Sequence, residues 1–448
     1  MPGITNLPDE VLALIDDRLD NKALLASLLT CRILQQSLSH RLWRTVRLKG
    51  GGPQVNLNDL ATHAHVVSRY EIHGVSLFSV LGGQFTSFRC PRSLDVNGIW
   101  GNEGYRLDWF WRACARFEEI NFTEFWGDTP SNLSEQSFES VKRVSWDWKV
   151  LFERPCIIYC EQLDIIRKFS NLTKLHCMTH RRAFPIAASI KALEDSTWLH
   201  LEDLGITGMM GSDKNIQPIM NNLPSLRRAQ FDISLFGPQC WSGFTNKQGN
   251  SLRVLDLRRC NAFESRWTLD ALTYFVYLEE LCAPSIKIAD IKEYPHHWKC
   301  LGLKKLDVFF IRDPENSDKD QMAFEFLSYF KRLESIDVSN SGRRESRMVS
   351  VENASKLKNP HTLRWRLDAG LGKLARLKNL RRLVLDNRFQ DATVGDVLKM
   401  VEQWPYFTEL MGILSSDPEV RVQMAALLKD QGVVNMDLIE LPLNSVSK

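Results

Sequence analysis

The residues with the clearest capacity for chemistry are Cys156 and Cys160, followed after fifteen intervening residues by His176 and His180. Paired thiolates and imidazoles at this spacing match the ligand pattern of a four-coordinate zinc site. The pattern has a competing home. These residues straddle an amphipathic stretch at 161–171 and an alternating apolar stretch near 172–177, so they already have places in a repeat, and a structural role is expected for them. Gly50-Gly51-Gly52-Pro53-Gln54 and the Gly82-Gly83 pair lack the Lys-Ser/Thr of a phosphate loop and are expected to be turns. No GxSxG elbow and no HExxH occurs. No histidine has an acid or nucleophile at a spacing that would make it a general base. The expectation is a chain without a catalytic centre, and without metal or cofactor.

Composition points the same way. The 448 residues are 44% hydrophobic and 25% charged, ordinary for a globular protein, and the net charge of +3 argues against a broad nucleic-acid surface. The ten cysteines occur singly with no CxxC pair, unlike the framework of a small secreted domain. There is no basic-then-apolar leader, and no stretch approaches the roughly 18 apolar residues of a membrane span. These features predict an intracellular protein, cytoplasmic or nuclear, with no membrane contact.

The elements that would position any site are set by a period. A pattern of apolar, two variable, apolar, one variable, apolar recurs as SLRVLDL (251–257), YLEELCA (277–283), GLKKLDV (302–308), RLESIDV (332–338) and NLRRLVL (379–385). Weaker copies start at 116, 140, 171, 200, 225 and 406, and fainter ones at 41, 67 and 91. Successive copies are 24 to 31 residues apart, except for one gap of 47 that holds a polar, basic insertion at about 339–361. Between copies, stretches such as 161–172, 269–281, 321–333 and 394–407 place apolar residues three or four apart. A strand and a helix of about 26 residues cannot bury their apolar faces alone, but they can when stacked side by side.

This periodicity resembles the leucine-rich-repeat family over residues 43–412. The resemblance implies an α/β solenoid with parallel strands on a concave face and helices on a convex face. Residues 49–412 would form the array, and residues 413–448 a C-terminal cap and tail, with a capping helix at 419–430. A further helical pattern is expected at 367–380.

The first 48 residues read differently. Pro8 suits a first helical turn, and Asp9 and Glu10 complement its dipole. Val11, Leu12, Ile15 and Leu19 form one stripe, and a second helical pattern carries Leu24, Leu25, Leu28 and Cys31. Together with Leu7-Pro8 and the closing Leu42-Trp43-Arg44, these residues resemble the F-box, although Asp16, Thr30 and Leu34 depart from its pattern. The resemblance implies a chain that docks on the Skp adaptor, and through it on a cullin–RING scaffold, as the non-catalytic substrate receptor of an SCF-type ubiquitin ligase. Its adaptor-binding residues would be Leu7, Pro8, Val11, Leu12, Ile15, Leu19, Leu24, Leu28, Cys31 and Trp43. The alternatives are an interaction scaffold or inhibitor whose N-terminal helices only cap the array, and a hydrolase within the repeat frame.

In such an array the strand residues between the inward apolar positions face the concave side. These are Gln230, Asp232, Asp256, Arg258, Asp307, Phe309, Asp337 and Asp386, with Ser339 and Val384 beside them. The excess of carboxylates predicts a protein partner with a Lys/Arg-bearing segment. Upstream, Trp100, Trp109, Trp111, Trp126, Trp146 and Trp148 crowd the early repeats. Most are expected to be packing residues, with Asp147 and Trp148 near the inner face.

Overall fold

The structure is a computed structural model. It describes residues 45–49, 67–73, 92–97, 116–123, 138–148, 168–179, 186–195, 197–209, 211–233, 235–260, 262–294, 297–312, 320–339, 363–385, 392–412 and 417–435, with Ala23, Ala26, Gln390, Leu414 and Ser415 besides. Ala23 and Ala26 are helical. The ten residues expected to bind an adaptor, Cys156, Cys160, His180 and Asp386 lie outside the described residues, as do Trp100, Trp109, Trp111 and Trp126.

The chain divides into two compact units, Met1–Asp203 and Leu204–Lys448. In the first, β1 (Thr45–Lys49), β2 (Arg69–His73), β3 (Ser93–Asn97), β4 (Glu119–Thr123), β5 (Arg143–Trp148) and β6 (Lys174–Thr179) pair in chain order, all parallel and in continuous register. One residue of each pair of neighbours turns inward. Tyr70 and Ile72, Leu94 and Val96, Ile120 and Phe122, Val144 and Trp146, and Leu175 and Cys177 are all buried. Period-2 alternation thus gives every strand one apolar face. The rings of Phe122 and Trp146 lie 4.5 Å apart, and Phe138 meets Phe169 edge-on at 5.1 Å. Helix α1 (Ile186–Glu194) closes the unit.

The second unit holds β7 (Asp203–Met209), β8 (Arg228–Ile233), β9 (Val254–Asp256), β10 (Glu280–Lys287), β11 (Lys305–Ile311), β12 (Ser335–Asp337), β13 (Arg382–Val384), β14 (Glu409–Met411) and β15 (Val434–Asn435), again in chain order. Strand β7 lies in this unit save for its first residue. The intervening helices are α2 (Asp213–Asn222), α3 (Pro238–Gln248), α4 (Ser265–Tyr274), α5 (Ile288–Ile291), α6 (Asp320–Ser328), the 3-10 turn Leu371–Arg376, α7 (Val394–Gln403) and α8 (Pro418–Asp430). Leu255, Leu281, Leu306, Ile336, Leu383 and Leu410 share one register row and are all fully buried. That row is the second apolar position of the repeat pattern.

Polar side chains join one repeat to the next. Asp213, the first residue of α2, does not cap its own helix; Ser212 does. The Asp213 carboxylate instead accepts the N–H groups of Gly237 (3.0 Å), Gln239 (2.8 Å) and Cys240 (2.8 Å), which open α3 and have no intrahelical acceptor. Gly237 leaves the space this requires, since a Cβ there would lie 2.6 Å from Asp213 Cγ. At the other end of α3 the buried Gln248 amide accepts from Leu226 N and donates to Pro224 O, both at 2.7 Å. In α7, Asp396 closes a capping box with Thr393 and accepts from Leu367 N at 2.7 Å.

Asp320, at the start of α6, is 0% exposed and sits between Arg312 (3.0 Å) and Arg364 (2.7 Å). Burial pushes its carboxyl above the usual range despite both guanidinium groups.

Strand order continues past residue 412. Helix α8 matches the expected helix at 419–430, but β15 follows it and pairs with β14. The pattern at 367–380 forms the short 3-10 turn, entered through Gly370 at φ 109°.

Candidate functional site

The face of each ladder opposite the buried apolar row carries the polar residues, and register places them in rows. In the second unit one row reads Gln230, Asp256, Cys282, Asp307, Asp337, Val384 and Met411 across β8 to β14. Parallel strands lie about 4.8 Å apart, so the three aspartates would repel unless screened. Arg258, in the turn after β9, screens two of them. Its Nε and Nη2 donate to the two oxygens of Asp256 at 3.0 and 2.6 Å, and its Nη1 donates to Asp307 Oδ2 at 3.2 Å. These carboxylates raise the guanidinium pKa further, so the clamp stays charged.

Asp307 is 3% exposed and Asp337 6%. Burial, and then the Asp337 charge, push the Asp307 carboxyl up to about 6, while Arg258 pulls against them. Asp337 Oδ1 accepts from both the backbone N–H and the hydroxyl of Ser339. Gln230, Asp232 and Asp256 are half-buried, as is Phe309, and Asp232 lies 3.8 Å from Arg259 Nη1. The face is therefore negative but internally braced. Asp232 and Asp256 are its more accessible carboxylates, and Asp307 and Asp337 lie deep beneath them.

The neighbouring rows alternate in sign. Glu279 pairs with Arg253 (2.6 Å) and Lys304 (2.7 Å), and these two cations hold its carboxyl below the usual range. Lys305 faces Glu280 at 4.0 Å, and Arg382 pairs with Glu409 at 3.0 Å.

The first unit has an equivalent ladder on its open face. Arg47 pairs with Glu71, Arg69 bridges Glu71 (3.2 Å) and Asp95 (2.7 Å), and Asn121 donates to Asp95 at 2.6 Å. His176, one of the four residues with zinc-site spacing, is taken up here, with Nε2 2.8 Å from Asp203 Oδ1. Of the two residues expected near the inner face, Asp147 and Trp148 belong to β5, while Trp146 is fully buried.

Cys282 stands among the aspartates, but burial and the charges of Asp256 and Asp307 push its thiol up to about 12, so it is not a nucleophile near neutral pH. Among the described residues no group of three or more His, Cys, Asp and Glu is placed to hold a metal ion. None of the described helices is long and apolar enough to cross a membrane. What the faces offer is a sheet surface of fixed side chains to which another chain can be complementary.

Sequence reasoning reached Gln230, Asp232, Asp256, Arg258, Asp307, Phe309 and Asp337. It did not reach Arg259, Cys282 or Lys305, nor the ladder of Arg47, Arg69, Glu71, Asp95 and Asn121. The same alternation in the faint copies at 41–48, 67–72 and 91–96 marks that second set.

No family model matches this chain, and no curated protein matches it in sequence. Among solved structures it is similar to an internalin of Listeria monocytogenes, with 11% identity and a TM-score of 0.41, covering 93% of both chains. It is also similar to a chain of the Toll–Spatzle complex of Drosophila, with 13% identity and a TM-score of 0.38, covering 83% of this chain and 46% of that one. Both likenesses are slight. The parallel repeat architecture stands on the strand order and register of the chain itself.

Proposed function

We propose that this chain is the substrate-recognition subunit of an SCF-type cullin–RING ubiquitin ligase. Residues 1–48 would hold the Skp adaptor through Leu7, Pro8, Val11, Leu12, Ile15, Leu19, Leu24, Leu28, Cys31 and Trp43. The open face of β8–β12 would hold the protein to be ubiquitinated. The first half rests on the F-box resemblance of the sequence. The second rests on one observation: the open face presents the half-buried carboxylates Asp232 and Asp256, with the buried Asp307 and Asp337 adding negative charge in the register row of Asp256. A surplus of carboxylates on a sheet face favours a Lys/Arg-bearing segment, because complementary charge speeds encounter and fixes register. Such a receptor performs no bond chemistry; it raises the effective concentration of a substrate lysine near the ubiquitin-carrying enzyme.

A second reading, a scaffold or inhibitor whose N-terminal helices only cap the array, draws support from β1. That strand starts at Thr45, directly after Leu42-Trp43-Arg44, the residues that close the F-box resemblance in the sequence.

The test compares proteins bound by three forms of the full chain in cells with the proteasome blocked: unaltered, Leu7→Ala with Pro8→Ala, and Asp232→Lys with Asp256→Lys. The receptor reading predicts that the first double variant loses the adaptor and keeps the substrates, and the second does the reverse. Loss of neither set by its variant removes the reading.

A further inference from the structure

Five repeats of the second unit, those of β10 to β14, enter their strands through the same tight turn. An N–H three residues on donates to the carbonyl that opens the turn: Leu278 to Phe275, Leu303 to Cys300, Leu333 to Phe330, Leu380 to Leu377 and Phe407 to Trp404, all at 3.0–3.2 Å. Both anchors of every turn are buried. Each turn ends two residues before its strand's first partner in the register Glu280, Lys305, Ser335, Arg382 and Glu409, so the turns form a row of their own. The fold requires only the anchors. The two central residues of each turn are free to be polar, as loop positions usually are.

They are not uniformly polar. Val276 and Tyr277 (57% exposed) fill the first turn, and Leu301 (59% exposed) the second. Lys331 and Arg332 fill the third and Lys378 the fourth, all exposed, and Tyr406 (59% exposed) ends the row in the fifth. The row is apolar, then basic, then aromatic. Lys331 and Arg332 have no ion-pair partner among the described residues, and the Lys378 ammonium donates only to the Gln403 carbonyl, at 3.2 Å.

The geometry points to this rim as a docking site for an extended acidic segment of a partner protein, with an apolar side chain at each end. Four strand spacings of about 4.8 Å make a row of roughly 19 Å, the span of about six extended residues. Acidic side chains in the middle would meet Lys331, Arg332 and Lys378, while the end residues would cover Tyr277 with Leu301 at one side and Tyr406 at the other. A nucleic-acid backbone or an anionic bilayer fits less well. Cations occupy only the two middle turns, and the exposed side chains of Tyr277, Leu301 and Tyr406 in the outer turns offer a uniformly negative surface no counter-charge. The site lies on the rim, apart from the aspartate row of the open face, and does not depend on the ligase reading.

The probe is a fluorescein-labelled peptide with a leucine at one end, a tryptophan at the other and a run of glutamates between, titrated with the full chain by fluorescence anisotropy. Saturable binding that weakens with added salt is expected. Lys331→Glu with Arg332→Glu, and separately Tyr277→Ser with Leu301→Ser, should each weaken it roughly tenfold or more, with thermal melts unchanged because all four positions are exposed. A peptide with glutamine in place of glutamate should bind far more weakly. Absence of saturable binding, salt-independent binding, indifference to both double variants, or tighter binding of single-stranded RNA or phosphatidylserine vesicles than of the peptide each overturns the proposal.

Discussion

Arg258 reaches from the turn after β9 to Asp307 on β11, two strands away, with its Nη1 3.2 Å from Asp307 Oδ2. Its other donors hold Asp256, and Cys282 of β10 stands between the two aspartates in register. One cation thus braces the acidic row across three strands, and the charge balance of the face depends on it.

The Asp307 carboxyl, pushed up to about 6, gives this row a pH signature. Its folded pKa lies above the unfolded value of about 3.9, so the folded chain binds the extra proton between these limits. Stability from this group is therefore present at low pH and is lost as pH rises from about 4 through about 6, by on the order of 3 kcal/mol. Asp307→Asn should flatten that part of the pH profile in thermal melts between pH 4 and 7. Arg258→Ala should move the Asp307 midpoint upward in a carboxyl carbon NMR titration. A downward move contradicts the clamp.

Asp213→Ala leaves three N–H groups at the start of α3 without an acceptor. Loss of a helix cap of this kind costs about 1–2 kcal/mol, read as a lower midpoint in urea unfolding. Asp213→Asn keeps an acceptor oxygen and should cost less. An unchanged midpoint for the alanine variant means that the inter-repeat cap contributes nothing.

Asp320 is the carboxylate between Arg312 and Arg364, fully buried. Removing one member of a buried ion cluster leaves uncompensated charge at a cost of about 3–5 kcal/mol. Asp320→Ala should therefore destabilise the chain far more than Arg364→Met, because Arg364→Met leaves Asp320 paired with Arg312, whereas Asp320→Ala removes the one carboxylate that both guanidinium groups face. Equal destabilisation of the two variants contradicts this account.

Strand positions were legible in the sequence because each repeat needs one apolar pair at fixed register. Even the faint copies at 41, 67 and 91 became β1, β2 and β3. Strand β15 was not, since Val434–Asn435 is too short to show alternation. The 3-10 turn at Leu371–Arg376 read as helix because its leucines keep helical spacing. The acidic row was legible as a face but not as a depth. Nothing in Asp307 or Asp337 itself shows that Arg258 and Ser339 would close over them. The Asp213 cap escaped because its partners lie 24 to 27 residues away. That distance is one repeat, so an acid opening one helix and a glycine one period later is the trace it leaves. The adaptor residues from Leu7 to Trp43 remain a reading of the sequence.

The central claim is that the first 48 residues hold a Skp adaptor while the repeats hold a substrate. Isothermal titration of the purified full chain with purified Skp adaptor tests it most directly. The account predicts a saturable one-to-one complex, weakened at least roughly tenfold by Leu7→Ala with Pro8→Ala, with the thermal melt of the repeats unchanged. Absence of heat from the unaltered chain, or equal affinity for the variant, contradicts it.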